Sequence, residues 1–311
     1  MGLMKVFGKM LSGAALAAFV VSGLVALLGL SSPGAPLPVA ADSVAGDSAP
    51  NLSGLLGLSG NLRAVSWSAV RERPSPLAAL VPALAERGPG LIATGVSSPD
   101  GEPIFLFRPV PLHAKTGPTW RGYRVGFWPG ERPGTRAAAY SLPEGFLEVT
   151  PEIRDLSLSS HFRVRDFLTH DQAAVWPKVL VIDLDLLDKL ELIAEQLQVS
   201  GRSPAVKVMS GFRTPQYNAL GVGPRGGRSG NSRHMYGDAA DIFVDADGNG
   251  RMDDLDGDRR VTIADAQWLA RLAEQVEMTH PSLTGGIGAY RANGVHGPFV
   301  HVDTRGMRAR W

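Results

Sequence analysis

Cysteine is absent from the 311-residue chain, so no disulfide staples the fold and no thiolate is available to a metal. Any zinc site must therefore be built from imidazole and carboxylate groups. An excess of either charge is missing too: 31 Lys and Arg stand against 30 Asp and Glu, a formal net charge of +1, and no basic tract stands out. That balance argues against a dedicated nucleic-acid binder. The length leaves room for one large or two modest domains plus a targeting segment.

What is present gathers in two stretches. The first is Ser210–Asp241, SGFRTPQYNALGVGPRGGRSGNSRHMYGDAAD, which carries His234 and Asp241 seven positions apart; the second is Phe299–Gly306, FVHVDTRG, which supplies His301. Two neutral imidazoles and one carboxylate make a three-ligand tetrahedral zinc site with the fourth position open, the layout of a catalytic rather than a structural zinc. Gly237, Ala239 and Ala240 are small, as expected where backbone passes close to a metal or a substrate. Arg213 follows the apolar run Val206–Met209, which reads as the first strand of the catalytic sheet, so it is expected just past a strand end and facing the same cleft.

SGFRTP, SRHMYGDAADI, GGIGAY and FVHVDTRG, in that order, resemble the zinc D-Ala-D-Ala peptidases of peptidoglycan, in the branch that ends in an FVHVDTG-like strand and a terminal Trp, here Trp311. The resemblance covers the last half of the chain, from about Leu158–Phe167 (LSSHFRVRDF) onward. It implies an α+β fold of the hedgehog/DD-peptidase type with zinc on His234, Asp241 and His301.

The remaining segments suggest four parts. After Lys5 and Lys9, residues 10–30 carry no charge, enough for about 30 Å of helix. Residues 1–31 therefore read as a signal peptide or an N-terminal membrane anchor, the anchor favoured, with the lysines inside. Val39-Ala40-Ala41 offers small residues for cleavage. Either way export to the cell envelope is expected, to the periplasm or the outer face of the cytoplasmic membrane. Residues 32–60, rich in Gly, Pro, Ala and Ser, read as a flexible linker. Residues 61–155 read as a small β-rich module with strands at Ile104–Phe107, Tyr123–Phe127 and Phe146–Thr150, and turns at Pro129-Gly130 and Pro133-Gly134. Its use is either to position the enzyme on the wall or only to pack against the peptidase; His113 and Trp120 within it receive no role. Residues 156–311 form the expected peptidase domain. A helix over Asp183–Gln198 would bury Leu187, Leu190, Ala194 and Leu197 and leave Asp188, Lys189 and Glu195 outside. Ala219–Asn231 is expected as a loop whose Arg225 and Arg228 are solvated or meet substrate carboxylates.

An acidic insertion, Asp245–Asp265, departs from the family's pattern, which has a short connection there. Two overlapping calcium-loop frames fit it. One uses Asp245, Asp247, Asn249, Asp253 and Asp256 with Gly250 at the sixth position; the other uses Asp254, Asp256, Asp258 and Asp265, with Arg259 where Gly is expected. Calcium is favoured over a merely solvated loop, because oxygen ligands at alternating positions are what a hard cation needs.

In the expected chemistry, zinc polarises the reacting groups and a general base takes a proton. Asp303, two residues after His301, is the first candidate for the base; the equal alternative is that it orients an imidazole ligand. Related peptidases with a His-x-His ending place a histidine where this chain has Phe299, and His296 is a weaker substitute from the neighbouring loop. Arg213 is expected to hold the substrate carbonyl or the developing oxyanion, and Ser232 to bind substrate or cap a turn. His161, His170 and His280 are expected to be structural. The expected function is hydrolysis of peptide bonds in peptidoglycan stem peptides or crosslinks, endopeptidase over carboxypeptidase. The alternative is a non-catalytic peptidoglycan-binding protein that keeps the fold.

Overall fold

The structure is a computed structural model that describes residues 52, 54–72, 75–131, 141–223 and 227–311, all within one compact unit. The expected signal or anchor segment 1–31, most of the linker, Pro133-Gly134 and Arg225 lie outside the described residues.

In chain order, β1 (Ala64–Ser66), α1 (Trp67–Glu72), α2 (Val81–Ala85), β2 (Gly90–Ser97) and β3 (Pro103–Arg108) form a small layer whose sheet runs β1-β3-β2. β4 (Val110–Pro111) and the short hairpin β5 (Thr119–Trp120) and β6 (Tyr123–Arg124) lead to β7 (Gly145–Val149) and β8 (Lys178–Leu180). There follow α3 (Leu184–Val199), β9 (Val206–Ser210), α4 (Pro215–Ala219), β10 (Ala239–Val244), α5 (Ile263–Thr279), β11 (Gly286–Tyr290), β12 (Phe299–Asp303) and β13 (Ala309–Arg310). The last five strands make one sheet, ordered β13-β11-β12-β10-β9 and antiparallel except for β11 with β13. Mixed helix and sheet in this segregated order is an α+β architecture. Among the described residues no helix is long and apolar enough to cross a membrane.

Period-two patterning sorts the large sheet into two faces. Ala240, Ile242 and Val244 of β10, Val300 and Val302 of β12, and Ile287 of β11 all face one way and are buried. Helices α3 and α5 pack behind them, α5 through Leu269, Leu272, Ala273 and Val276. Each such Val, Leu or Ile side chain contributes on the order of 1.5–3 kcal/mol of burial. The alternate positions, Asp241, Phe243, Phe299, His301 and Asp303, are thereby forced onto the opposite face.

Three expectations change. No core boundary falls at residue 155: β7 pairs with β8, and one continuous core runs from Leu62 through Val149 and Leu158 to Val302. Residues 52–60 are not a free tether, since Leu52, Leu55 and Leu56 are buried in a second cluster with Val65, Ile104 and Leu106. The strand expected over Tyr123–Phe127 shortens to Tyr123–Arg124, because Val125 and Gly126 both turn their N–H groups to the carbonyl of Pro118.

The outer face of α3 is the fourth difference. Its apolar stripe is as expected, and Asp183 caps the first turn by accepting from the Asp185 N–H. Asp188 and Lys189, however, are buried at 3% and 0% exposure, because the 52–62 segment covers the helix on one side and α5 on another. Asp188 accepts N–H bonds from Leu58 and Ser59 at 2.6 and 2.9 Å. Lys189 donates to the Glu277 carboxylate at 2.6 Å and to the carbonyls of Leu283 and Asp303 at 3.2 and 2.8 Å.

Candidate metal centre

His234 sits on a one-turn 3-10 helix, Arg233–Tyr236, that ends on Gly237 in the left-handed region (φ 77°). A Cβ at Gly237 would lie 2.5 Å from the carbonyl of Val181, so only glycine allows this turn to lean on the chain entering α3. The Gly237 carbonyl accepts the Asp183 N–H there at 2.9 Å. Asp241 and His301 lie directly opposite each other on β10 and β12, which places their side chains side by side on the face of the sheet away from α5.

The three groups converge. His234 Nε2 is 3.3 Å from Asp241 Oδ1 and 3.2 Å from His301 Nδ1, and His301 Nδ1 is 3.0 Å from Asp241 Oδ1. Bonds of roughly 2.0–2.1 Å in a tetrahedral zinc site would set ligand atoms about 3.3 Å apart, so the triangle is of the right size. The tautomers agree. A carbonyl only accepts, so the 2.8 Å contact of His234 Nδ1 with the Gly211 oxygen makes Nδ1 the protonated nitrogen and leaves the Nε2 lone pair inward. His301 Nε2 donates likewise to Asp303 at 3.0 Å and turns the Nδ1 lone pair inward. Imidazoles held from behind by a carbonyl and a carboxylate are how metal ligands are oriented.

The three groups are perturbed in different directions. Burial lowers the basicity of His234, keeping it neutral. Burial alone would raise Asp241, but the two imidazoles hold its carboxyl well below the usual range. For His301 burial is outweighed by the Asp241 and Asp303 carboxylates, which raise it.

Asp303 does not fit the role of general base. It is fully buried, its carboxylate accepts from His301, from the Gly286 N–H at 2.7 Å and from the Arg305 guanidinium. Against the cost of burial, those donors hold its pKa far below an ordinary carboxylate's. It orients His301. Asp303→Asn should accordingly weaken metal binding at the triangle by about 10–100-fold; a metal titration showing unchanged affinity would contradict that orienting role.

Arg213 lies against the triangle, paired with Asp241. Its Nη2 donates to Asp241 Oδ2 at 2.5 Å and its Nε to Ser210 Oγ at 2.9 Å, so two of its arms position the ligand carboxylate. Ser232 precedes the His234 turn, and its hydroxyl does not cap it. Arg228 is held by the Tyr217 carbonyl at 2.7 Å and stacks over the Tyr217 ring. His296 is outside the triangle: its ring nitrogens contact Asn293 and the Gly297 carbonyl, both at 2.8 Å, and its edge meets Phe299. His161 is paired with Glu191 and His280 lies at the end of α5, both away from the centre.

Tyr290 and Trp311 complete the wall beside His301. The Trp311 ring lies 5.3 Å from the His301 ring, and its Nε1 donates to the Tyr290 hydroxyl at 2.5 Å. Gly288 is opposite His301 in register, and a Cβ there would run into the Trp311 indole. Tyr290 had no expected role. The signal was the alternation Gly286, Gly288, Tyr290 in GGIGAY, which places the phenol on the face that carries His301.

The acidic insertion begins where β10 ends. Asp245, Asp247 and Asp253 form one group, and Asp254, Asp256 and Asp265 another, each able to bring oxygens within 4.8 Å of one another. Asp256 thus belongs only to the second group rather than to both frames, because Asp253 closes the first by accepting the Ala246 N–H at 2.9 Å. Asp258 lies outside the second trio and accepts the Arg260 N–H at 2.7 Å. Asn249 accepts the Arg251 N–H at 2.8 Å. Gly250 and Arg259, the sixth residues of the two frames, both take left-handed backbone, φ 77° and 67°. Arginine does so at a cost of about 1 kcal/mol. Met252 and Leu255, each 2% exposed, anchor the insertion to the core.

Comparison with known protein families, with characterised proteins and with solved structures gives no match.

Proposed function

We propose that the chain is an exported zinc metallopeptidase of the hedgehog/DD-peptidase fold type, which hydrolyses peptide bonds in peptidoglycan stem peptides, crosslinks before carboxyl-terminal residues. The observation that carries this reading is the buried triangle of His234 Nε2, Asp241 Oδ1 and His301 Nδ1, of a size and tautomeric state that suit zinc. The motif resemblance supplies the substrate class, and the uncharged run 10–30 supplies export. Bound zinc would supply Lewis-acid polarisation. The chain's own residues do the rest. Arg213 fixes the Asp241 carboxylate and offers its remaining Nη1 to the scissile carbonyl oxygen. Asp303 and the Gly211 carbonyl keep both imidazoles in the ligating tautomer. Trp311 and Tyr290 form the wall against which a substrate lies.

The second reading is a non-catalytic peptidoglycan binder. One observation favours it: the first candidate base, Asp303, is buried and fully engaged. Digestion of crosslinked muropeptides separates the two, read by mass spectrometry with and without a zinc chelator. The peptidase reading expects cleaved dimers that the chelator abolishes; intact dimers retained on the zinc-loaded protein favour the binder.

Calcium in the insertion belongs to the same proposal, since hard oxygen ligands suit calcium and imidazoles suit zinc. At a hundredfold excess over its dissociation constant, calcium should stabilise the fold by about 2.7 kcal/mol, a rise of roughly 5–10 °C in melting temperature. Asp247→Asn with Asp256→Asn, one carboxylate from each trio, should remove that rise while zinc stays bound. A parent melting temperature indifferent to calcium would make the insertion a solvated loop.

A further inference from the structure

The metal-bearing face of the sheet continues beyond the triangle into a groove. Phe243 is two residues along β10 from Asp241, about 7 Å away at strand rise. Directly opposite it on β9 is Lys207, so both side chains share the face that carries the metal ligands. From there opens a cavity of about 890 Å³. Met209 and Phe243 line its floor, the acidic insertion forms one wall through Arg251 and Met252, and the loop before β12 forms the other through His296 and Pro298.

The polar groups of this groove are unevenly committed. Asp245 turns its carboxylate back into its own loop, accepting the N–H groups of Asn249 and Gly250 at 2.9 and 3.1 Å. His296 has both ring nitrogens engaged by Asn293 and Gly297. Lys207 and Arg251 are exposed, and neither side chain has a hydrogen bond or ion pair among the described residues. Two uncommitted cations over an apolar floor, one side-chain step from a metal centre, are a site for an anion carried on an amphiphilic chain.

We infer that this groove binds the flanking part of a peptide substrate through a carboxylate within about two residues of the scissile bond, held between Lys207 and Arg251. The insertion is then a specificity wall as well as a surface loop, because it contributes Arg251. The inference rests on the peptidase reading for the identity of the chain in the groove, and binding tests it separately from turnover.

The probe is a crosslinked stem-peptide dimer in two forms, free acid and carboxyl-amidated, titrated calorimetrically into the zinc-loaded full chain. The free acid should bind at least about tenfold more tightly than the amide, as two charge-assisted contacts at a partly screened surface allow. Lys207→Met or Arg251→Met should each cut that preference about threefold, and the double variant should abolish it, with zinc content unchanged. Both residues are exposed, so the folded core is not at stake. Equal binding of the two forms by the parent, or a preference that survives in the double variant, overturns the inference. Preferential binding without any cleavage leaves it standing and removes the peptidase reading instead.

Discussion

His234→Ala and His301→Ala are each expected to lose bound zinc and to slow hydrolysis of crosslinked stem peptides by at least about a thousandfold, the several kcal/mol that a Lewis acid contributes to a transition state. The two variants should differ in what they leave behind. The His234 carbonyl accepts the Arg213 N–H at 3.0 Å, so the backbone of that turn is braced independently of the imidazole. Removing the His301 ring instead strips a donor from buried Asp303 and a packing partner from Trp311. His301→Ala should therefore also lower the melting temperature more than His234→Ala. Zinc analysis at full occupancy in both variants would overturn the assignment of the ligands.

The second large effect lies behind the sheet. Lys189→Met should destabilise the protein by about 3–5 kcal/mol, the usual result of removing one partner from a buried ion pair. At about 2–4 °C per kcal/mol that is a fall of roughly 6–20 °C. Lys189 Nζ ties three elements together: Glu277 on α5, the Leu283 carbonyl, and the Asp303 carbonyl at the end of β12. Glu277 in turn accepts the Gly285 N–H at 2.9 Å and pairs with Arg310 on β13. Burial depresses the Lys189 pKa, and the Glu277 carboxylate opposes that shift. Because the network ends on Asp303, the variant should also weaken zinc binding through the orientation of His301. A variant as stable as the parent would show that the amine is dispensable to the fold.

The convergence of His234, Asp241 and His301 was legible in the sequence because its members announce themselves chemically. His234, Asp241, His301 and Arg213 lie in motifs whose order and spacing fix their elements, and strand alternation then fixes the face. Lys189 was not legible. On a helix whose stripe is Leu187, Leu190, Ala194 and Leu197, a lysine off the stripe reads as solvated, and only the tertiary packing of α5 and β12 reveals that this side is covered too. The same holds for Asp188, whose partners Leu58 and Ser59 are about 130 positions away in the chain. The division at residue 155 failed for a related reason. Turn-rich composition marks surface loops but carries no information on which strands share a sheet, and β7 pairs with β8 across it. Within the insertion, alternating aspartates defined both calcium frames, but which carboxylate closes each loop depended on backbone N–H bonds that spacing does not specify.

The account is tested most directly by diffraction from zinc-loaded crystals above and below the zinc absorption edge. It predicts an anomalous peak within roughly 2.0–2.2 Å of His234 Nε2, an Asp241 carboxylate oxygen and His301 Nδ1, with Asp303 on the far nitrogen of His301 and not on the metal. A peak elsewhere, or a triangle that stays empty while zinc occupies other residues, would contradict it.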